Sequence, residues 1–285
     1  MKFRSSGRGG RYSPLRGLHE AFQSVVWAKG WPGWLLDRVP AATRVSAIRH
    51  DLALGRAVDR PPLKLAFASD LHIGPLTPPR LLDAAFEQLD AFGADVLVLG
   101  GDYVFLEATA KSAARLRALV ERVHAPIKIA VLGNHDLWTD HALLERALAD
   151  AGATVVVNDA VRLPAPHDDV ALVGVDEPWT GQPDPARAFE RVGDAPVRIA
   201  IAHAPEAIAH IAGRGAHLML CGHTHGGQVA LPSGPVVVHG PMGRKFPSGL
   251  RDVAGMKLFV SRGLGNVDLP LRAYAAPDVS LFSIS

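Results

Sequence analysis

A single cysteine, Cys221, in 285 residues excludes an internal disulfide and a thiolate zinc cluster, since each needs at least two thiols. Aromatic residues make up only 6% of the chain, and no stretch of 18 or more uninterrupted apolar residues occurs, so no segment reads as a membrane-spanning helix. The 28 glycines and 22 prolines stay below the ~25–30% combined share that marks low-complexity disorder. No G-x-x-x-x-G-K-[ST] phosphate loop and no G-x-S-x-G nucleophile turn are present. Glycines 7, 9 and 10 follow no strand and make no dinucleotide fingerprint. What remains is a globular, loop-rich chain that is long enough for a large core.

Charge is unevenly spread behind the net value of +2. Residues 1–62 hold 11 Lys/Arg against 4 Asp/Glu, a balance of +7, and residues 63–285 hold 19 against 24, a balance of −5. A mildly acidic body poor in aromatics argues against a nucleic-acid partner that tracks phosphates. The basic arm, residues 1–62, divides in two. Residues 1–14 are Gly, Ser and Arg and are expected to be disordered. From Leu15 onward Leu15, Leu18, Phe22, Val25 and Val26 fall at helical spacing, which predicts an amphipathic helix. Trp27, Trp31 and Trp34 follow at once beside Lys29, Arg38 and Arg44. Indoles next to cations suit a bilayer interface; the alternative is that the segment packs across the back of the core. The first residues are basic, but no apolar block with a small-residue cleavage site follows them. A cytoplasmic location is therefore expected, peripheral at the inner face of the membrane if the arm binds lipid.

Past Arg60-Pro61-Pro62, short apolar runs alternate with helical stretches. Strands are expected at Leu63–Ser69, Asp95–Gly100, Ile127–Gly133, Thr154–Val157, Val170–Val175, Val197–His203 and His217–Cys221, then near Val236–Val238, Met256–Ser261 and Val279–Ile284. Helices are expected at Pro79–Phe92, Ala110–Val123, Asp140–Ala151 and Pro205–Ala212, with a short one near Pro185–Arg191. Continuous apolar strands separated by helices imply sheets covered on both sides, hence an α/β fold or a four-layer αββα sandwich over residues 63–285.

The polar residues of interest each follow a strand: Asp70-Leu71-His72, Gly101-Asp102, Gly133-Asn134-His135-Asp136, His203, and Gly222-His223-Thr224-His225-Gly226-Gly227. Ligands in α/β sheets collect at the carboxyl ends of strands, so these five loops are expected to converge. Asp70, His72, Asp102, Asn134, His203, His223 and His225 offer oxygen or imidazole nitrogen, a donor set that suits Mn, Fe, Zn or Co. Seven ligands exceed one tetrahedral ion and fit two ions that share a carboxylate. Cys221 reads as a small core thiol.

These ordered blocks resemble the calcineurin-like metallophosphoesterases. The resemblance covers roughly residues 63–285, and the longer Gly222-His-Thr-His-Gly-Gly-Gln228 and Arg262-Gly-Leu-Gly265…Pro270-Leu-Arg272 look like the subgroup that includes membrane-associated UDP-2,3-diacylglucosamine pyrophosphatases. Tyr103, after Asp102, departs from relatives that continue with an acidic residue. The resemblance implies that two divalent ions, manganese first among them, are held by Asp70, His72 and His225 on one side and by Asn134, His203 and His223 on the other, with Asp102 bridging. It implies His135 as the catalytic group that stabilises the phosphorane or protonates the leaving oxygen, with Asp136 fixing its tautomer. Arg244, Lys245, Arg262 and Arg272 are candidates to grip phosphate. The implied activity is cleavage of a lipid-linked nucleotide sugar to UMP and a lipid sugar phosphate, in lipid A biosynthesis. The alternatives are a soluble phosphodiesterase or phosphatase acting on small nucleotides and a non-catalytic metal-bound scaffold.

Overall fold

Two six-stranded sheets lie face to face in the computed structural model, which describes residues 14–285. In chain order the strands are β1 (Ser46–Leu52), β2 (Leu63–Ala68), β3 (Val96–Leu99), β4 (Ile127–Ala130), β5 (Ala153–Val155), β6 (Asp159–Arg162), β7 (Val170–Gly174), β8 (Val197–Ile201), β9 (Leu218–Cys221), the short pair β10 (Ala230–Leu231) and β11 (Gly234–Pro235), β12 (Gly249–Val253), β13 (Met256–Val260) and β14 (Asp278–Ile284). The first sheet has the order β1-β14-β2-β3-β4-β5 and the second β12-β13-β9-β8-β7-β6. Strands β2 to β5 run parallel, as do β7, β8, β9 and β13, so the carboxyl ends of β2, β3 and β4 share one edge of their sheet and those of β8 and β9 share one edge of theirs.

The helices are α1 (Pro14–Val26), α2 (Trp31–Leu36), α3 (Pro79–Ala91), α4 (Ala110–Arg122), α5 (Asn134–Leu137), α6 (His141–Asp150), α7 (Pro185–Glu190), α8 (Ile208–Ile211) and α9 (Pro241–Lys245). Alternation along β2 divides the core: Leu63, Leu65 and Phe67 meet Leu218, Leu220 and Phe259 of the second sheet, while Ala66 and Ala68 meet α3, α4 and α6 through Phe86, Leu116 and Leu148. A third cluster packs Val173, Ala200, Met219 and Cys221 against Ala188 of α7 and Ile208 and Ile211 of α8. This is the four-layer αββα arrangement. The Thr109 hydroxyl starts α4 by accepting the Ser112 N–H at 3.1 Å, with Ser112 returning the contact to the Thr109 N–H.

Several expectations change. Ser46–Leu52 lies inside the segment assigned to the arm, yet forms the first sheet's edge, parallel to β14 from Ser46↔Asp278 to Leu52↔Ile284. Val236–Val238 is not a strand and lines a cleft instead. Edge strands β6 and β12 were not expected. The expectation of disorder over residues 1–14 falls, apart from Pro14, outside the described residues. Helix α1 does not pack across the back of the core. It lies at the carboxyl-end edge of the sheets, with Glu20 and Gln23 buried and Leu15, Leu18, Phe22 and Val25 exposed.

Candidate metal centre

All seven expected ligands converge where the two sheets meet. Asp70 and His72 follow β2, Asp102 follows β3, Asn134 opens α5 after β4, His203 follows β8, and His223 and His225 follow β9. Five of them sit at positive φ: Asp70 (54°), His72 (42°), Asp102 (55°), His223 (72°) and His225 (54°). Such non-glycine backbone is costly and is retained where a site requires it. Two glycines make room for this crowding. A Cβ at Gly222 would collide with Ser69 Oγ and Asp70 Oδ2, and one at Gly133 with the Asp102 carboxylate.

Potential ligand atoms face one another at distances that a cation would relieve. Asp70, His72 and His225 form one group, in which His72 Nε2 lies 3.0 Å from His225 Nε2 and His225 Nε2 lies 3.4 Å from Asp70 Oδ1. Asp102, His203 and His223 form another: His203 Nε2 is 3.1 Å from Asp102 Oδ2 and 3.3 Å from His223 Nδ1, which is 3.0 Å from Asn134 Oδ1. Asp102 Oδ2 is also 3.7 Å from His72 Nε2, so one carboxylate reaches both groups. The Nδ1 of His203 lies 2.8 Å from the Gly100 carbonyl, which fixes its proton there and turns Nε2 to the cluster.

Charge in the centre also fits a cation. Burial pushes the His72 ring down to about 4 and the His223 ring down to about 3, and holds His225 well below the imidazole range, so these rings stay neutral as ligands must. Burial pushes Asp70 up to about 6. For Asp102 burial acts upward, but His203 and His135 outweigh it and hold the carboxyl well below its usual range. Burial would lower His203 too, yet Asp102, Asp70 and Glu177 around it push that ring up to about 10. The cluster thus gathers negative charge around one imidazolium, and divalent ions would replace its proton. These donors fit a pair of divalent ions.

His135 stands at the edge of the cluster, its backbone N–H donating to Asp102 Oδ1 at 2.8 Å and its ring centroid 4.9 Å from that of His72. Its imidazole also falls within ligand reach of His72 and Asp102. Asp136 does not orient that ring. Its oxygens accept backbone N–H groups from Asp102 (2.8 Å), Tyr103 (2.8 Å) and Gly133 (2.9 Å), so it braces the loop that carries Asp102. Arg262 pairs with Asp278 at 2.8 Å, and the half-buried Arg272 lies on the carbonyls of Arg262, Gly265 and Ala275 with Nη2 3.0 Å from His225 Nδ1. Both brace the centre. Arg244 and Lys245 are exposed on α9, away from the cluster's contacts.

Two further residues stand at the centre that the strand-end blocks did not include. Glu177, after β7, is fully buried; burial pushes it up to about 7, and its charge acts on His203. Asp176-Glu177 follows an apolar strand like the other blocks, which is the cue that could have found it. Arg16, on α1, places Nη2 3.1 Å from His135 Nε2.

Residues 63–227 match the calcineurin-like phosphoesterase model. Over 260 residues the chain is 30% identical to the phosphodiesterase YaeI of Escherichia coli, covering 89% of each. It is 26% identical to the uncharacterized metallophosphoesterase YkuE of Bacillus subtilis over 78% of each chain. It is also 26% identical to the UDP-2,3-diacylglucosamine pyrophosphatase LpxG of Chlamydia trachomatis, over 60% of this chain and 65% of that one. With strand-end ligand blocks in the family's order, an αββα frame around them and this match, the chain belongs to the calcineurin-like phosphoesterases, metal-dependent hydrolases.

Proposed function

We propose that the protein hydrolyses a lipid-linked nucleotide sugar, UDP-2,3-diacylglucosamine, between its two phosphates at a membrane surface, a step of lipid A biosynthesis. The observation that carries this reading is the cleft above the ligand cluster, about 550 Å³ in volume. Asp102, Asn134, His223 and His225 lie at its polar floor, while Val229, Val236, Val237, Val238 and Leu269 make an apolar wall. A substrate with a phosphate core and acyl chains has the matching division. Among relatives, LpxG carries the name of that pyrophosphatase. After α1, Trp31, Trp34 and Leu35 are exposed, with the exposed Lys29 and Arg38 close by in the chain, a surface suited to lipid headgroups.

Asp70, His72 and His225 would hold one ion, Asn134, His203 and His223 the other, and Asp102 both. When bound, these ions supply Lewis-acid charge that neutralises phosphoryl oxygens and acidifies the attacking water. His135 hydrogen-bonds the reacting phosphoryl group or its leaving oxygen from the cleft wall. Asp136 and Arg272 hold the ligand loops in register. The reaction adds one water across the P–O–P bridge. The water oxygen bonds to one phosphorus, the bridging oxygen leaves with the other and takes up a proton, and the products are UMP and the lipid sugar phosphate.

The greater identity to a relative named a phosphodiesterase, over 89% of both chains, favours a second reading, hydrolysis of a simple phosphodiester. Incubation of purified protein with UDP-2,3-diacylglucosamine, manganese and detergent separates the two. The proposal expects UMP. Absence of UMP alongside rapid hydrolysis of simple diesters would transfer the assignment to the second reading.

A further inference from the structure

Helix α1 is built inside out for a surface helix. Residues Arg16, Glu20 and Gln23, at spacings of four and three, face the protein, while Leu15 (80%), Leu18 (71%), Phe22 (65%) and Val25 (75%) face away. An apolar stripe normally seeks the core. Here the inward face makes polar contacts: Gln23 Nε2 donates to Asp268 Oδ1 at 2.9 Å, and Arg16 Nε donates to Glu20 Oε1 at 2.8 Å. Glu20 is only 3% exposed, so it fixes one end of the guanidinium. The rest of that group stacks over Trp138 at 3.8 Å and puts Nη2 3.1 Å from His135 Nε2, inside the cleft. A planar fork of donors, aimed at the wall beside the ligand cluster, is the shape that takes two oxygens of a phosphate.

We propose that Arg16 is a substrate-contacting residue that takes phosphoryl oxygens beside His135, and that docking of the outer face of α1 on an anionic phospholipid bilayer holds it there. The inference rests on the phosphoester reading of the centre and extends it to where the reaction is switched on. Lipid is the occupant of the apolar face because α1 is followed by the exposed Trp31, whose indole N–H reaches back to the Val26 carbonyl at 2.9 Å, and by the exposed Trp34 and Leu35, and the exposed Lys29 and Arg38 in this segment complement anionic headgroups. Arg16 and Phe22 are six residues apart on one 13-residue helix, so a surface that holds Phe22 also holds Arg16 over the cleft.

The test uses the full, metal-loaded chain, with inorganic phosphate and vesicles containing one quarter phosphatidylglycerol as probes. Arg16→Gln is expected to keep its metal content and weaken phosphate binding by about tenfold or more, the scale of a lost charge-assisted hydrogen bond, with partial recovery in Arg16→Lys. Leu18→Glu/Phe22→Glu is expected to bind phosphate as wild type without vesicles and to lose co-sedimentation with them. It should also lose the several-fold rise in hydrolysis of a soluble chromogenic diester that vesicles bring to wild type. Arg16→Gln that binds phosphate like wild type, or that fails to bind it because metal is lost, overturns the contact. A double variant that still co-sediments overturns the docking. Wild-type protein that neither binds phosphate nor hydrolyses any diester would instead sink the phosphoester reading itself.

Discussion

The floor and the roof of the cleft are built on opposite terms. At the floor, the ligands from two sheets are buried apart from the half-buried His223, five of the seven sit in costly backbone, and Asp136 and Arg272 brace them, so the core over-determines their geometry. At the roof a single helix presents its polar side to the site and its apolar side outward. Helices α1 and α3 have the same length of 13 residues and similar apolar spacing, yet α3 buries Leu82, Phe86 and Leu89 whereas α1 buries Glu20 and Gln23. The contrast teaches that periodicity reveals a two-faced helix without revealing which face turns inward. On the docking proposal, it also divides labour between a fixed floor that sets the chemistry and a roof that senses a lipid surface.

The division can be broken at the floor first. His135→Ala should retain both metals while turnover falls by something like 10²–10⁴-fold, as for a positioned acid–base group; metal loss in that variant would make His135 a ligand. Next is the helix that packs on the first sheet. Phe86→Ala should cost about 3–5 kcal/mol of stability by chemical denaturation, because the ring is completely buried. A smaller effect concerns protons. His203 is held protonated up to about 10, so metal uptake near neutral pH must release its proton. Apparent metal affinity should therefore rise about tenfold per pH unit between pH 7 and 9, and calorimetry in buffers of different ionisation enthalpy should show the proton release. A pH-independent affinity would mean that His203 binds already neutral. The smallest change belongs to the roof: Phe22→Ala should alter stability by no more than about 0.5 kcal/mol, as at an exposed position. A cost like that of Phe86→Ala would erase the distinction between the two helices.

Much of the floor was legible because each ligand block follows an apolar strand and parallel strands end on one side. Asp70, His72, Asp102, Asn134, His203, His223 and His225 all come together as that logic requires. Less was legible where partners are remote in the chain. Ser46–Leu52 alternates exposed and half-buried positions and gains its identity as a strand from β14, more than 200 residues later, so it read as part of the arm. Asp136 looked like a partner for its neighbour's ring, but the turn into α5 points the carboxylate back at the Asp102 loop. Val236–Val238 has the composition of a strand, yet no neighbouring strand pairs with it and it walls the cleft. Arg16 gave no signal, since a lone arginine on a helix is ordinarily a solvated charge.

The central claim is that Asp102 joins two ion sites into one centre, and elemental analysis of purified variants tests it most directly. Wild-type protein should carry about two divalent ions per chain, His72→Ala chiefly one, and Asp102→Ala neither, with hydrolysis lost alongside. Two tightly held ions in Asp102→Ala would contradict the account.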